Sequence, residues 1–539
     1  MFVLILGCGI FKDYGISWDE GQSRINGAVT IKYLITLIHG SFPWIYEYFP
    51  YLPTEHIDVP DLNSYIDQDY GVAFEAPIGM LEYVLGLKDS RSVYLFRHIM
   101  TFFVSIGGVY AVFRMAERRF ADWRWGLLAA LLLILSPRIF GDSFYNDKDI
   151  VFMALFAIAV NAMIDFVLSP RMTAAVVAAV TAAIAIDVRI MAIIVPIGAI
   201  ILLLIRGISG ELAWRRTMPV LVLYGAATCG CVVLLWPWLW ESPWAHFQEA
   251  FANMSRFRWH ESVLFMGFVI LGTEIPWYYA PVWIGITTPV VYSVMFLLGS
   301  VVICAAVVHD IWENVSKNRL RLWSGAQALQ DVAFISLAVF PVLAVIVLHS
   351  VIYNGWRQMY FIYPMFVLVA ARGMRFLFKT TKNATSARVA LVVLLFASMG
   401  SSAFWMYNAH PYEMLYFNML AGKNTRQNFD GDYWGLTNRS SLEYLLQHEA
   451  TNDIVILPCS MTDLLMSLHI LTPEQRARIR ITHELNEANF IINTFQGDLS
   501  QCPDRRSDLA YTNPDFEEYY RLKVDGEVVA SISRRVVKN

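Results

Sequence analysis

Two carboxylates stand side by side in Gly15-Ile16-Ser17-Trp18-Asp19-Glu20-Gly21, directly after a short apolar run from Phe2 to Phe11. An acidic pair at a membrane surface is costly to hold and often functional. Asp19 there suits a general base that takes a proton from a hydroxyl. A structural reading competes, because Ser17 and Glu20 have capping-box spacing and a helix follows. It leaves Asp19, between the two capping positions, without an explanation.

A second cluster runs from Ser136 to Asp149 and holds Arg138, Asp142, Asp147, Lys148 and Asp149. Three carboxylates and two cations exceed what a connecting loop needs. The cations suit a phosphate, and a carboxylate there would orient an acceptor or bind a metal. The competing reading is a solvated turn with Asp149 capping the next helix. Asp187-Val188-Arg189 interrupts an otherwise apolar stretch, so its charges should face protein. They form either a local ion pair or a site at which Arg189 meets a lipid phosphate. Arg97-His98, inside another apolar segment, pose the same choice. Arg357 in Trp356-Arg357-Gln358-Met359-Tyr360 is either a snorkelling interface residue or a phosphate ligand. Asp432-Tyr433-Trp434-Gly435 has the composition of the oligosaccharyltransferase aromatic-Asp-Gly motif in a different order, and reads as coincidence. The remaining histidines lack metal-ligand spacing and read as structural.

The elements that must position these residues are membrane helices. Of 539 residues, 57% are hydrophobic and only 16% charged, against about a quarter charged in soluble domains. A net charge of −4 gives no reason to expect nucleic-acid binding. Eleven apolar segments recur near 1–11, 93–116, 125–137, 150–168, 174–188, 190–206, 217–236, 281–309, 331–353, 358–376 and 388–407. The first is shorter than the roughly 20 residues a span needs, so the first helix is expected either to begin upstream of Met1 or to be cut short.

The basic residues Arg114, Arg118, Arg119, Arg124, Arg171, Arg206, Arg215, Arg216, Lys317, Arg319, Arg321, Arg372, Arg375, Lys379, Lys382 and Arg388 fall on one side of an eleven-span layout. That side is cytosolic by the positive-inside rule. The outer side receives 12–92, 138–149, 237–280, 353–357 and everything after 408. Loop 12–92 is acidic, with Glu47, Glu55, Asp58, Asp61, Asp67, Asp69 and Glu75. Ile25, Val29, Tyr33 and Leu37 recur every four residues and predict an interfacial helix with its apolar face toward lipid. A second helix is predicted from Pro243 to His260.

The chain divides into a membrane part, 1–410, and a small soluble α/β domain, 411–539. In the latter a helix is predicted at 440–448, with strands at 453–457, 479–482 and 490–494. A hairpin is predicted around Asp525-Gly526. Of six cysteines, Cys8, Cys229, Cys231 and Cys304 lie in apolar segments. Cys459 and Cys502 are able to pair if the tail is outside the cytosol.

With an Asp-Glu pair in the first outer loop, an acidic second loop and an outer C-terminal domain, the chain resembles GT-C fold glycosyltransferases. Over roughly 12–376 it is similar to the protein O-mannosyltransferase and aminoarabinose-transferase superfamily, family 39-like. The resemblance implies that Asp19-Glu20 is the family's carboxylate pair with Asp19 as base, and that Arg97, Asp149 and Arg189 are its charged residues within the spans. Arg357, Tyr360 and Pro364 match its Arg-x-x-Tyr-x-x-Pro start of a late span, with one extra residue before the proline. One departure stands out: the family's Lys-Pro-Pro-Leu or His-Pro-Pro-Leu-Gly reads Phe74-Glu75-Ala76-Pro77-Ile78-Gly79 here, with Lys148 or Arg138 as substitutes for the missing cation.

The resemblance implies a polyprenyl-phosphate sugar donor and inverting transfer to a hydroxyl of a lipid, glycan or protein acceptor on the outer face. Arg97, Arg138, Lys148, Arg189, Arg357 or Tyr360 would hold the donor, with Glu75 and Asp147 beside it and Asp142 or Asp149 assisting Asp19 and Glu20. It also implies no cofactor and no catalytic metal. The expected location is a plasma membrane, the bacterial inner membrane, with multiple passes. Three readings compete: an oligosaccharyltransferase with a lipid-diphosphate donor, a secondary transporter, and a non-catalytic scaffold. The transporter is disfavoured by the lack of a repeat between halves and of paired broken helices.

Overall fold

A computed structural model describes residues 2–39, 59–255, 259–316, 321–497 and 514–536. Apolar runs become helices because a bilayer leaves backbone N–H and C=O groups no partner but each other. The membrane part holds α1 (Phe2–Ile10), α2 (Trp18–His39), α3 (Glu75–Val84), α4 (Ser90–Phe120), α5 (Trp123–Ile134), α6 (Pro137–Tyr145), α7 (Asp149–Leu168) and α8 (Met172–Val188). It continues with α9 (Ile194–Ile208), α10 (Trp214–Leu235), α11 (Pro243–Ser255), α12 (Tyr279–Thr287), α13 (Val290–Ser316), α14 (Ala326–Val347), α15 (Tyr363–Thr380) and α16 (Thr385–Ala409).

Among the described residues eight stretches are long and apolar enough to cross a membrane: α4, α7, α10, α13, α14 and α16, with α9 and α15 each extended by the helical turn before it (Ile190–Ile208 and Arg357–Thr380). The pair α5 and α6, bent by 72°, makes a ninth if counted as one span. The bend falls at Ser136-Pro137, where proline removes the N–H that would continue the first helix. The helix α8 is apolar but has only 17 residues, and α1 has nine. All eleven expected segments are therefore helical, but the helices do not supply eleven full-length spans. Segment 281–309 also splits into α12 and α13 at Pro289.

The most enclosed span is α7, 78% of whose apolar window is buried; α4, α8 and α9 pack around it. On the far side α13 and α15 approach closely through two glycines. A Cβ at Gly299 would lie 2.0 Å from the Val369 carbonyl oxygen, and one at Gly373 2.2 Å from that of Met295. Such small-residue contacts replace the hydrophobic drive that lipid removes.

The periodic stripe on α2 does not face lipid as expected. Val29 is fully buried in the protein core, and Ile25 and Tyr33 pack against it; only Leu37 is exposed. Residues 138–149 are not a loop: α6 occupies most of them, and every residue of that helix is buried. The helix predicted to reach His260 is described from Pro243 to Ser255, His260 itself is not helical, and an unpredicted hairpin follows, β1 (Ser262–Phe265) and β2 (Phe268–Leu271). Glu47, Glu55, Asp58, Lys317 and Arg319 lie outside the described residues.

The tail folds as expected in kind. Helix α17 (Thr437–His448) covers a five-stranded sheet of β3 (Ile454–Pro458), β4 (Ile479–Ile481), β5 (Phe490–Asn493), β6 (Phe516–Val524) and β7 (Glu527–Arg535). The strand order is β4-β3-β5-β7-β6; β3 pairs parallel with β4 and β5, and the other ladders are antiparallel. Asp525 and Gly526 both have positive φ, as a two-residue hairpin turn of the primed type requires. Cys459 is disulfide-bonded, whereas Cys8, Cys229, Cys231 and Cys304 are free; Cys502 lies outside the described residues.

Candidate active site

Four charged residues from four distant parts of the chain meet in one run of ion pairs. Arg357 Nη1 donates to Asp19 Oδ2 at 2.8 Å and to Asp149 Oδ2 at 2.9 Å. Arg189 Nη2 donates to the other Asp149 oxygen. Asp149 opens α7, with its own N–H capped by the Asn146 side chain at 2.8 Å. Its carboxylate faces the two guanidiniums, accepts from Asn146 Nδ2 at 3.3 Å as well, and does not serve as the helix cap. Arg189 ends α8, and Arg357 opens the helical turn that leads into α15.

Burial divides the two acids. The side chain of Asp149 is 1% exposed and that of Asp19 25%. Asp19 is therefore the carboxylate that a second molecule can reach. Tyr353 and Trp434 lie against the Arg357 guanidinium, their ring centroids 5.1 and 4.5 Å away. Lys148 sits 3.7 Å from the ring centre of Tyr70; both lie within electrostatic reach of Tyr353, Tyr70 also of Asp19 and Lys148 of Asp149.

The Ser17 to Glu20 capping box is half formed. Ser17 N donates to Glu20 Oε2 at 2.6 Å, but Ser17 Oγ donates to the Tyr145 carbonyl instead of closing the box. Glu20 also meets His98 Nε2 at 2.9 Å and is 1% exposed, so it fixes the start of α2 and is closed to solvent. Asp19, one residue earlier, projects toward Arg357.

Behind this cluster lies a second, sealed one. Arg97 holds Glu75 at 2.6 Å and Glu82 at 2.5 Å, and Arg24 reaches Glu82 at 3.3 Å. Ser23 Oγ donates to Asp147 at 3.0 Å. The acids here outnumber the guanidiniums. Burial, with Glu75 and Glu20 beside it, raises the Asp147 carboxyl well above the ordinary carboxylate range. Burial likewise raises Glu75, in spite of Arg97. Arg97 is 1% exposed and doubly paired, so it ties α3 to α4.

A third group is equally closed. Asp142 accepts from Tyr145 Oη at 2.6 Å and from Asn146 Nδ2 at 3.2 Å, and it is fully buried. Arg138 donates to the Tyr416 carbonyl at 3.0 Å and lies over the rings of Trp283 and Phe417. Tyr360 is buried beside Tyr433. Asp187 does not pair with Arg189; it accepts the Ala73 N–H at 2.5 Å and so anchors the segment that leads into α3.

The tail packs over the site. Asp432 accepts from the N–H groups of Gly435, Leu436 and Thr437, a turn that presents Trp434 to Arg357. Its aromatic-Asp-Gly composition thus has a structural cause. Trp18 N donates to the Trp434 carbonyl at 3.2 Å, and Arg439 donates to the carbonyls of Lys12 and Tyr14 at 2.6 and 2.7 Å.

Glu82, Arg24, Tyr70 and Tyr353 do not stand out in the sequence, and Trp434 does so only within a motif read as coincidence. Glu75 and Glu82 stand seven residues apart, two helical turns, and both face Arg97; that spacing was the available signal. Among the described residues no group of three His, Cys, Asp or Glu side chains is placed to hold a metal.

Residues 80–236 match the family model described as dolichyl-phosphate-mannose-protein mannosyltransferase. This stretch contains Arg97, Asp149 and Arg189, and over it the chain is similar to membrane glycosyltransferases of the GT-C class. Among solved structures, ArnT from Cupriavidus metallidurans bound to undecaprenyl phosphate aligns over 98% of this chain and 96% of its own, at 12% identity and a TM-score of 0.44. The apo state of the same protein aligns over 98% and 97%, with the same identity and score. No curated protein matches the chain.

Proposed function

We propose that the chain is a membrane glycosyltransferase that moves a sugar from a polyprenyl-phosphate donor to an acceptor hydroxyl on the outer face of the membrane. The observation that carries this reading is the Asp19–Arg357–Asp149–Arg189 cluster, in which two guanidiniums are held by a buried acid and a second acid is left accessible. The family matched over 80–236, described by its dolichyl-phosphate-mannose donor, supports a lipid monophosphate as the leaving group.

The chemistry follows from these positions. Arg357 and Arg189, with Lys148 at the edge, bind the donor phosphate, and Asp149 keeps both guanidiniums in place before it arrives. Asp19 takes the proton from the acceptor hydroxyl. That oxygen attacks the anomeric carbon from the face opposite the phosphate, the carbon–oxygen bond to the phosphate breaks, and the configuration inverts. The leaving phosphate gains negative charge, which preorganised guanidiniums in a water-poor site stabilise more than water does. The acceptor is a lipid, glycan or protein hydroxyl.

The cluster lies at the opposite end of the spans from the basic loops, and the disulfide at Cys459 suits an oxidising compartment. Both support a plasma-membrane enzyme, in the bacterial inner membrane, with its tail outside the cytosol. The test of activity gives purified protein a panel of labelled polyprenyl-phosphate hexoses and pentoses together with envelope membranes. Release of the polyprenyl phosphate with label appearing in the acceptor is expected; no turnover with any monophosphate donor, but turnover with a lipid diphosphate, would replace this reading. A reporter fused after residue 408 should be external, and a cytosolic signal would overturn the orientation.

A further inference from the structure

The strongest unassigned feature lies at the other end of the spans. Between α5, α15 and the first half of α16 is a crevice of about 690 Å3. Arg124, Arg375, Lys379, Lys382 and Arg388 line it, with Asp122 as the one carboxylate, and Trp125, Leu128, Phe378 and Leu395 form its apolar wall. Counting 18 residues of α15 at about 1.5 Å each puts Lys379 about 27 Å from the Arg357 end, close to the thickness of a bilayer core.

Four of the five cations are unmatched among the described residues. Arg375 approaches Asp122 only at 4.0 Å. Arg124, Lys379, Lys382 and Arg388 have no carboxylate at ion-pair distance among the described residues. The contrast with their neighbours is sharp: Arg119 and Arg372, in the small adjoining pocket, are both paired with Asp331. Two helix N-termini add to the positive end, α5 at Trp123 and α16 at Thr385, and the latter has no side-chain cap.

The crevice also opens to lipid. The buried residues of α16, Met399, Ser402, Met406 and Ala409, all belong to its later half. Val389, Val393, Leu394 and Phe396 in its earlier half are exposed. This half of α16 stands away from the bundle, so the gap beside it accepts an acyl chain while the cations sit at headgroup level.

We propose that this crevice binds the phosphate of an anionic phospholipid from the leaflet opposite the candidate active site, with the acyl chains along α5 and α16. Basic pockets between spans at this level are suited to such headgroups. A free phosphate or pyrophosphate anion has the same charge chemistry but makes no use of the apolar wall or the opening to lipid. The site is separate from the proposed transfer chemistry.

The test uses the full chain in detergent, exposed to equal amounts of phosphatidylglycerol and phosphatidylcholine, with retained lipid counted by native mass spectrometry. Wild type is expected to prefer phosphatidylglycerol at least about tenfold. The combined Lys379→Gln, Lys382→Gln and Arg388→Gln variant should lower its retention on the order of 100-fold, at about fivefold per cation. Asp122→Asn keeps a side-chain cap on α5 but removes the opposing charge, and should raise retention about fivefold, so the idea stays testable if the triple variant fails to fold. Equal retention of the two lipids by wild type would overturn the proposal. So would a preference that neither Asp122→Asn nor the triple variant alters. Inorganic phosphate or pyrophosphate binding as tightly as the lipid, and displacing it, would assign the crevice to a soluble anion and overturn the lipid identity.

Discussion

Asp19 and Asp149 share one guanidinium, yet their replacement by asparagine should have opposite signatures. Asp149 is 1% exposed and holds Arg189 and Arg357, the latter itself 4% exposed. Removing one member of a buried ion pair costs about 3–5 kcal/mol because it strands the other charge. In Asp149→Asn, Arg357 keeps Asp19 at 2.8 Å but Arg189 loses its carboxylate, which places the loss near the lower end, about 3 kcal/mol. Asp19 is 25% exposed, and Arg357 keeps Asp149 without it, so Asp19→Asn should cost about 1 kcal/mol or less. Its effect should fall on rate: loss of a general base slows turnover by about 10²–10⁴-fold. The assay pairs thermal unfolding in detergent, followed by tryptophan fluorescence, with release of polyprenyl phosphate from labelled donor per folded molecule. Asp19→Asn is expected to unfold close to wild type and to be inactive; Asp149→Asn should unfold well below it. Turnover of Asp19→Asn within threefold of wild type would remove Asp19 as base. Equal stability of the two variants would refute the argument from burial.

Arg97→Gln should destabilise by about 3–5 kcal/mol, since it leaves Glu75 buried without its guanidinium and Glu82 with only Arg24, while donor KM at a permissive temperature stays near wild type; a large rise in KM would point to Arg97 as a donor ligand. His410 lies between Glu413 at 2.8 Å and Asp13 at 3.3 Å. Burial works against its charge, but the two acids outweigh it and raise its pKa. Its stabilisation is therefore full below the ordinary histidine value and fades as pH rises through the raised one. His410→Gln should be less stable than wild type at pH 6, with the gap closing at alkaline pH, and a pH-independent gap would contradict the charged contact.

The charges at Asp19, Asp149, Arg189 and Arg357 were visible in the sequence because each interrupts or borders an apolar run, where an unpaired charge is expensive. Their partners were not. Asp187 and Arg189 are two residues apart and were the natural pair, but the helix end turns them to different neighbours. Arg97 stands out in the sequence for the same reason as Arg357, and only the fold shows that α3 supplies it with two acids. Asp142 illustrates the limit from the other side: its loop is a buried helix, because Ser136-Pro137 bends the span instead of ending it. In the tail, local signals sufficed for the strands and the Asp525-Gly526 turn, whereas Trp434 over Arg357 is a long-range contact that no periodicity encodes.

The clasp between the Asp19 stretch and the start of the tail sets an order of assembly. Arg439 and Tyr14, whose backbone it holds beside the Asp19 stretch, are 425 residues apart. At roughly 5–20 residues per second, synthesis separates them by roughly 20–80 s. During that interval the membrane helices can insert and Arg357 can be made, but Trp18 has no Trp434 carbonyl to donate to and the aromatic cover of the guanidinium is missing. A nascent or truncated chain thus displays the charged residues without their lid. The Asp19–Arg357 pair gains this cover only once the chain has been made as far as Arg439 and the Trp434 turn folds back on the Asp19 stretch.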